Sequence, residues 1–199
     1  MVCAFFLVSA SVQGCVLHMA AMLTDRGLSI QTAALGSSLL GAALLMGRVA
    51  TGYLLDRFFA PHLAAVFFGG AAAGIGLLWM SNSTATVLVG AFLVGLGLGA
   101  EVDIIAYLVS RYFGLRYFGE IYGLAFGAFL LAGALGPLVM GAGFDLTGSY
   151  SAPLAALFIS TSVATLLMTE LGPYRYHPWQ PEESKQICRV ETEERPCSS

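Results

Sequence analysis

The stretch Gly47-Arg48-Val49-Ala50-Thr51-Gly52-Tyr53-Leu54-Leu55-Asp56-Arg57-Phe58 decides how this chain is read. Asp56-Arg57 closes a long apolar run, yet Arg48 lies two helical turns inside that run. A charge at that depth of a membrane span costs at least about 2.5–3.5 kcal/mol on insertion scales, so it faces a cavity or a partner. The surroundings make the run a membrane span. Of 199 residues, 57% are hydrophobic and 11% charged, against roughly 25% charged in soluble domains.

Working outward, six apolar stretches are long enough to cross a bilayer, which takes about 20 residues at 1.5 Å each. They cover about 1–23, 31–55, 62–80, 84–110, 119–143 and 151–170, separated by short breaks carrying charge or turn signals. The 24 glycines suit close helix approach inside a membrane. The expected fold class is an all-α polytopic membrane protein, a six-helix bundle over 1–172. A polar segment over 173–199, rich in Glu, Pro and Ser, reads as a disordered cytoplasmic tail.

Lysine and arginine fix the expected orientation. With the Asp56-Arg57 loop inside the cell, that side collects Arg57, Arg111, Arg116, Arg175, Lys185, Arg189 and Arg195, and the other side only Arg26. Both termini are then cytoplasmic, in a multi-pass protein of the cell (inner) membrane. No basic run favours nucleic acid. The four cysteines (Cys3, Cys15, Cys188, Cys197) lack metal-ligand spacing and read as free thiols. No cofactor or metal is implied.

The ionisable residues well inside the spans are His18, Arg48, Glu101 and Asp103. They concentrate in spans one, two and four, so spans three and six are expected to face lipid. Arg48 and Asp103 each lie eight residues from the inner charge of their span, a depth of about 12 Å, and could share a layer. At about 100° per residue Asp103 shares a face with Gly99, Tyr107 and Ser110, and Glu101 with Gly97, Ile105 and Leu108. Asp103 is therefore expected in the cavity and Glu101 at a helix contact. Two readings of Arg48 and Asp103 stand side by side: a structural ion pair between helices, or a substrate anchor with a nearby carboxylate. His18 is either a packing residue or part of the site. Protease motifs fail: Gly36-Ser37-Ser38 is the nearest to a rhomboid serine motif, Gly97-Leu98-Gly99 is followed by Ala100, and no His-Glu-x-x-His occurs. An enzyme is not expected.

Gly52-x-x-x-Asp56-Arg57 resembles the loop motif of the major facilitator superfamily, with Phe58-Phe59-Ala60-Pro61-His62 where its closing basic residues stand. Arg48, four residues before that glycine, resembles the substrate-binding arginine in the eighth helix of monocarboxylate porters and oxalate/formate antiporters. Gly14-Cys15-Val16-Leu17-His18, Ala100-Glu101-Val102-Asp103 and Gly133-Ala134-Leu135-Gly136-Pro137 are similar to the C-terminal half of bacterial members. The resemblance implies helices seven to twelve of a twelve-helix transporter, the third and sixth spans being peripheral. It implies half, or a truncated form, of a secondary transporter that moves a small organic anion by alternating access. The single deep cation implies a monocarboxylate. The implied substrate-binding residues are Arg48, Asp103, His18 and Tyr107, with Asp103 and Glu101 as candidate proton carriers for symport or antiport. Gly52, Asp56, Arg57, Gly136 and Pro137 are the implied gating positions. The expected partners are the lipid bilayer, the anion with its proton, and a missing N-terminal half or a second copy of the chain. The rival reading is a non-transporting assembly or sensor module derived from such a transporter.

Overall fold

Local chemistry sets each corner of the chain in the computed structural model, which describes residues 1–81 and 83–172. Gly27, Gly114 and Gly148 adopt positive φ (79°, 73° and 67°) just past the ends of three helices, a conformation in which a side chain would be strained. Ser29 caps the next helix by accepting a hydrogen bond from the Thr32 backbone N–H at 3.2 Å. Pro61 sits in the first turn of another, where its missing N–H is harmless.

Between these corners run six helices: α1 Val2–Asp25, α2 Ile30–Leu55, α3 Ala60–Met80, α4 Thr84–Phe113, α5 Phe118–Thr147 and α6 Ser151–Thr169. All six are long and apolar enough to cross a membrane, and among the described residues there is no strand. The chain is a six-helix, all-α membrane domain. Helix α5 continues to Thr147, four residues beyond its apolar run, until Gly148 turns the chain. The tail expected over 173–199 lies outside the described residues.

Helix α2 packs along α4, α4 along α3, α3 along α6, α6 along α1, and α1 along α5, while α1 and α4 also meet. Exchanging α1 with α4, α2 with α5 and α3 with α6 leaves this pattern unchanged. An odd number of spans per unit makes the two three-helix units opposite in direction, an inverted repeat. Helices α1 and α4 form the middle of the bundle, and α3 and α6 form its back. Among the described residues α2 and α5 do not touch each other. They flank a groove floored by α1 and α4.

Glycine fixes the crossings. A Cβ on Gly99 would lie 3.0 Å from the Leu44 carbonyl carbon and 3.1 Å from the Arg48 backbone nitrogen. On Gly136 it would lie 2.8 Å from the Ala10 carbonyl carbon. The backbones of α2 with α4, and of α1 with α5, thus touch directly. Helix α6 is rich in hydroxyls, but Thr161, Ser162 and Thr165 donate them to carbonyls of their own helix at 2.8, 2.8 and 2.9 Å. Ser160 instead donates to the Leu7 carbonyl of α1 at 3.3 Å and ties the two helices together.

Candidate functional site

The groove between α2 and α5 is charged by Arg48. Gly47, Leu40 and Ala43 turn toward α4. One residue on, about 100° around the helix, Arg48 turns to the side on which α1 packs against α4. Its side chain is exposed, and among the described residues it has neither an ion pair nor a hydrogen bond. It lies about 10 Å from the C-terminal end of α2 at 1.5 Å per residue.

Two further residues belong to the other walls of the groove. Gln13 on α1 is half-buried and covers Gly133, where an added Cβ would lie 3.5 Å from Gln13 Cγ and 3.8 Å from its Nε2. Phe126 on α5 is half-buried eight residues from the start of its helix, about 12 Å deep. It belongs to a run of near-parallel rings. Phe118 and Tyr122 stack at 5.3 Å, Tyr122 and Phe126 at 5.6 Å, and Phe126 and Phe129 at 5.4 Å, with interplanar angles of 7°, 17° and 16°. Ser9 Oγ donates to the Phe129 carbonyl at 3.1 Å and ties the inner end of this ladder to α1. Half-buried Leu98, Val102 and Ala106 of α4 complete the floor.

The other sequence-derived residues are dispersed. Gly95 and Gly99 face α2, and Gly97 faces α3, with an added Cβ 2.7 Å from that of Ala71. Asp103 lies about 40° past Gly99, half-exposed on the side of α4 between α2 and α3, away from α1. It forms no ion pair with Arg48. Equal depth along two helices did not bring them together, because their angles around the helix axes differ. Tyr107 is on the same outer side as Asp103 and carries the Arg111 guanidinium 5.1 Å above its ring. Glu101 is fully buried, and neither carboxyl oxygen has a hydrogen-bond partner. His18 turns toward α5 and the α5–α6 corner, 6.0 Å from the Tyr150 ring, with Nε2 3.8 Å from where a Gly141 Cβ would stand.

The loop motif is laid out at the end of α2. Gly52 is exposed with open space beside it, Asp56 ends the helix with an exposed side chain, and Arg57 lies 4.4 Å over the Tyr53 ring. Gly136 is buried against α1, and half-exposed Pro137 follows it inside α5. Among the described residues no cluster of His, Cys, Asp or Glu could hold a metal ion.

Sequence reasoning missed Gln13 because only ionisable side chains were weighed. Its signal was present: a carboxamide in the middle of an apolar helix, beside Gly14. An isolated guanidinium, one carboxamide and otherwise apolar walls can bind a small anion but offer no nucleophile or paired acid and base. A family model described as Major Facilitator Superfamily matches residues 1–196. Comparison with curated proteins finds no match.

Proposed function

The chain belongs to the Major Facilitator Superfamily, a family of membrane transporters rather than enzymes, and from that premise we propose that it carries a small organic anion, a monocarboxylate, across the bilayer. The observation that carries this reading is Arg48: an exposed guanidinium well inside its span in the groove, with no carboxylate satisfying it among the described residues. The planar fork of arginine matches two carboxylate oxygens at once. A charge kept unpaired at such depth marks a ligand path.

In this proposal the groove is one half of the transport pathway. A second six-helix unit, either a separate half or another copy of the chain, lies against α2 and α5, and rocking between the units alternates access. The tight α2–α4 and α1–α5 crossings let each unit move as a block. The backbone contact at Gly99 fixes Arg48 relative to α4. Buried Glu101 and half-exposed Asp103 are the candidates for proton coupling, Glu101 because its carboxyl has no hydrogen-bond partner. The basic inner loops favour cytoplasmic termini.

Saturation binding and uptake in proteoliposomes test this reading, with Arg48→Gln against the parent. Carboxylate binding and uptake are expected to fall at least about tenfold, the loss of a charge-assisted pair. Unchanged binding in the folded variant would overturn it.

A further inference from the structure

We propose that the anion taken by this groove is an aryl monocarboxylate, its carboxylate on Arg48 and its ring against the aromatic wall of α5; this rests on the reading that Arg48 holds the carboxylate. Three features select that shape. The first is charge. Arg48 is the one cation on the groove side of α2, and the single lysine of the chain, Lys185, lies far along the sequence from every span. One guanidinium balances one carboxylate, so a dicarboxylate would leave its second charge desolvated against apolar walls.

The second feature is the ladder of Phe118, Tyr122, Phe126 and Phe129. Its three ring pairs keep interplanar angles of 17° or less. Such a stack presents ring edges and faces for offset or edge-to-face contact with another flat ring. Phe126 is the member at the groove edge, and its depth of about 12 Å is close to the roughly 10 Å of Arg48. A ligand spanning from one wall to the other is held across the groove rather than along it.

The third feature is room. Gly119, Gly123 and Gly127 follow one another along α5 beside the ladder, and a Cβ on any of them would meet nothing within 4 Å. They contrast with Gly136 of the same helix, which α1 closes. The α5 wall beside the ladder is therefore smooth and uncovered, and it carries no side chain that would keep a planar group from lying against it. Gln13 covers Gly133, seven residues or about 10 Å beyond Phe126 along α5, and so lies outside the layer of Arg48 and Phe126. An aromatic ring in that layer needs no hydrogen-bond partner.

The test uses the full chain in lipid nanodiscs with radiolabelled benzoate, competed by cyclohexanecarboxylate, formate and oxalate. Benzoate is expected to compete about three- to tenfold more tightly than cyclohexanecarboxylate, with oxalate weakest. Phe126→Leu is expected to abolish that preference while leaving cyclohexanecarboxylate within about twofold. Gly123→Leu, whose side chain enters open space and disturbs no packing, is expected to block benzoate and spare formate. Equal potency of benzoate and cyclohexanecarboxylate, or full benzoate binding by Gly123→Leu, overturns the aryl assignment while an Arg48 dependence still supports the carboxylate site. Undiminished benzoate binding by Arg48→Gln instead overturns the carboxylate site itself. Absence of binding by any of the four acids to the folded parent overturns both.

Discussion

Gly99→Ala adds one methyl group at the α2–α4 crossing and tests what holds the groove wall in place. The new carbon would lie 3.0 Å from the Leu44 carbonyl carbon and 3.1 Å from the Arg48 nitrogen, and closer still to the Leu44 carbonyl oxygen. Carbon contacts are comfortable at about 3.5–4.0 Å. All the opposing atoms are helix backbone and cannot step aside singly, so α2 and α4 must part by about 0.5–1 Å. A gap of that size forfeits a quarter to a half of the dispersion energy along the seam, here the row of Leu40, Ala43 and Gly47 against Gly95 and Leu96. Overpacking of this kind costs about 1–3 kcal/mol, and better helix propensity returns about 0.5–1 kcal/mol. The net loss is about 1–2 kcal/mol, which at about 2–4 °C per kcal/mol lowers Tm by about 2–8 °C. Gly127→Ala supplies the opposite sign. Nothing lies within 4 Å of its added carbon, so propensity alone acts and Tm rises by about 1–4 °C. Thermal unfolding of both variants in the same detergent decides the matter. If Gly99→Ala melts with the parent, or the two variants shift alike, glycine contact is not what sets the α2–α4 spacing.

Three further outcomes are expected. Arg48→Lys keeps the charge but loses the planar fork, so carboxylate affinity in a binding assay should drop about three- to tenfold while Tm is unmoved; undiminished affinity would count against bidentate capture. Burial, with Asp25 and Asp145 adding repulsion, raises the Tyr150 phenol above its ordinary value, about 10 in the unfolded chain. The folded state then holds this proton longer, so its contribution is intact below about pH 10 and is lost as pH rises toward the folded value. Tyr150→Phe should accordingly flatten the decline of Tm above about pH 10, and an identical decline in both proteins would refute the assignment. Cys3 is exposed near the N-terminal end of α1 and Cys15 is buried. With Cys188 and Cys197 replaced by serine, a membrane-impermeant maleimide should leave both unmodified in right-side-out vesicles and label Cys3 but not Cys15 in inverted vesicles; labelling of Cys3 in right-side-out vesicles would reverse the proposed orientation.

The six helices were legible because apolar length is a one-dimensional property that the bilayer thickness turns directly into structure. That Glu101 and Asp103 point to different sides of α4 follows from the fixed angle between two residues on one helix, but the expectation that Asp103 lines the cavity does not match its place between α2 and α3. What the sequence does not carry is the angle between helices. Arg48 and Asp103 match in depth, yet α2 meets α4 along Gly95 and Gly99, which leaves Asp103 on the flank opposite α1. His18 similarly faces Tyr150 rather than the groove. Polarity without charge was the other blind spot, and it concealed Gln13. The hydroxyls of α6 look equally polar in sequence, but Thr161, Ser162 and Thr165 bond to carbonyls of their own helix and Ser160 to a carbonyl of α1.

That α2 and α5 stand apart has a consequence for anyone measuring selectivity. A channel with a floor and two sides takes its remaining boundary from its neighbour, whether acyl chains or another protein surface. Leu45 and Val49 on α2, and Leu130 on α5, are ready to meet that neighbour. Discrimination among solutes is thus shared property, and changing what borders the channel should retune it with no change in this chain.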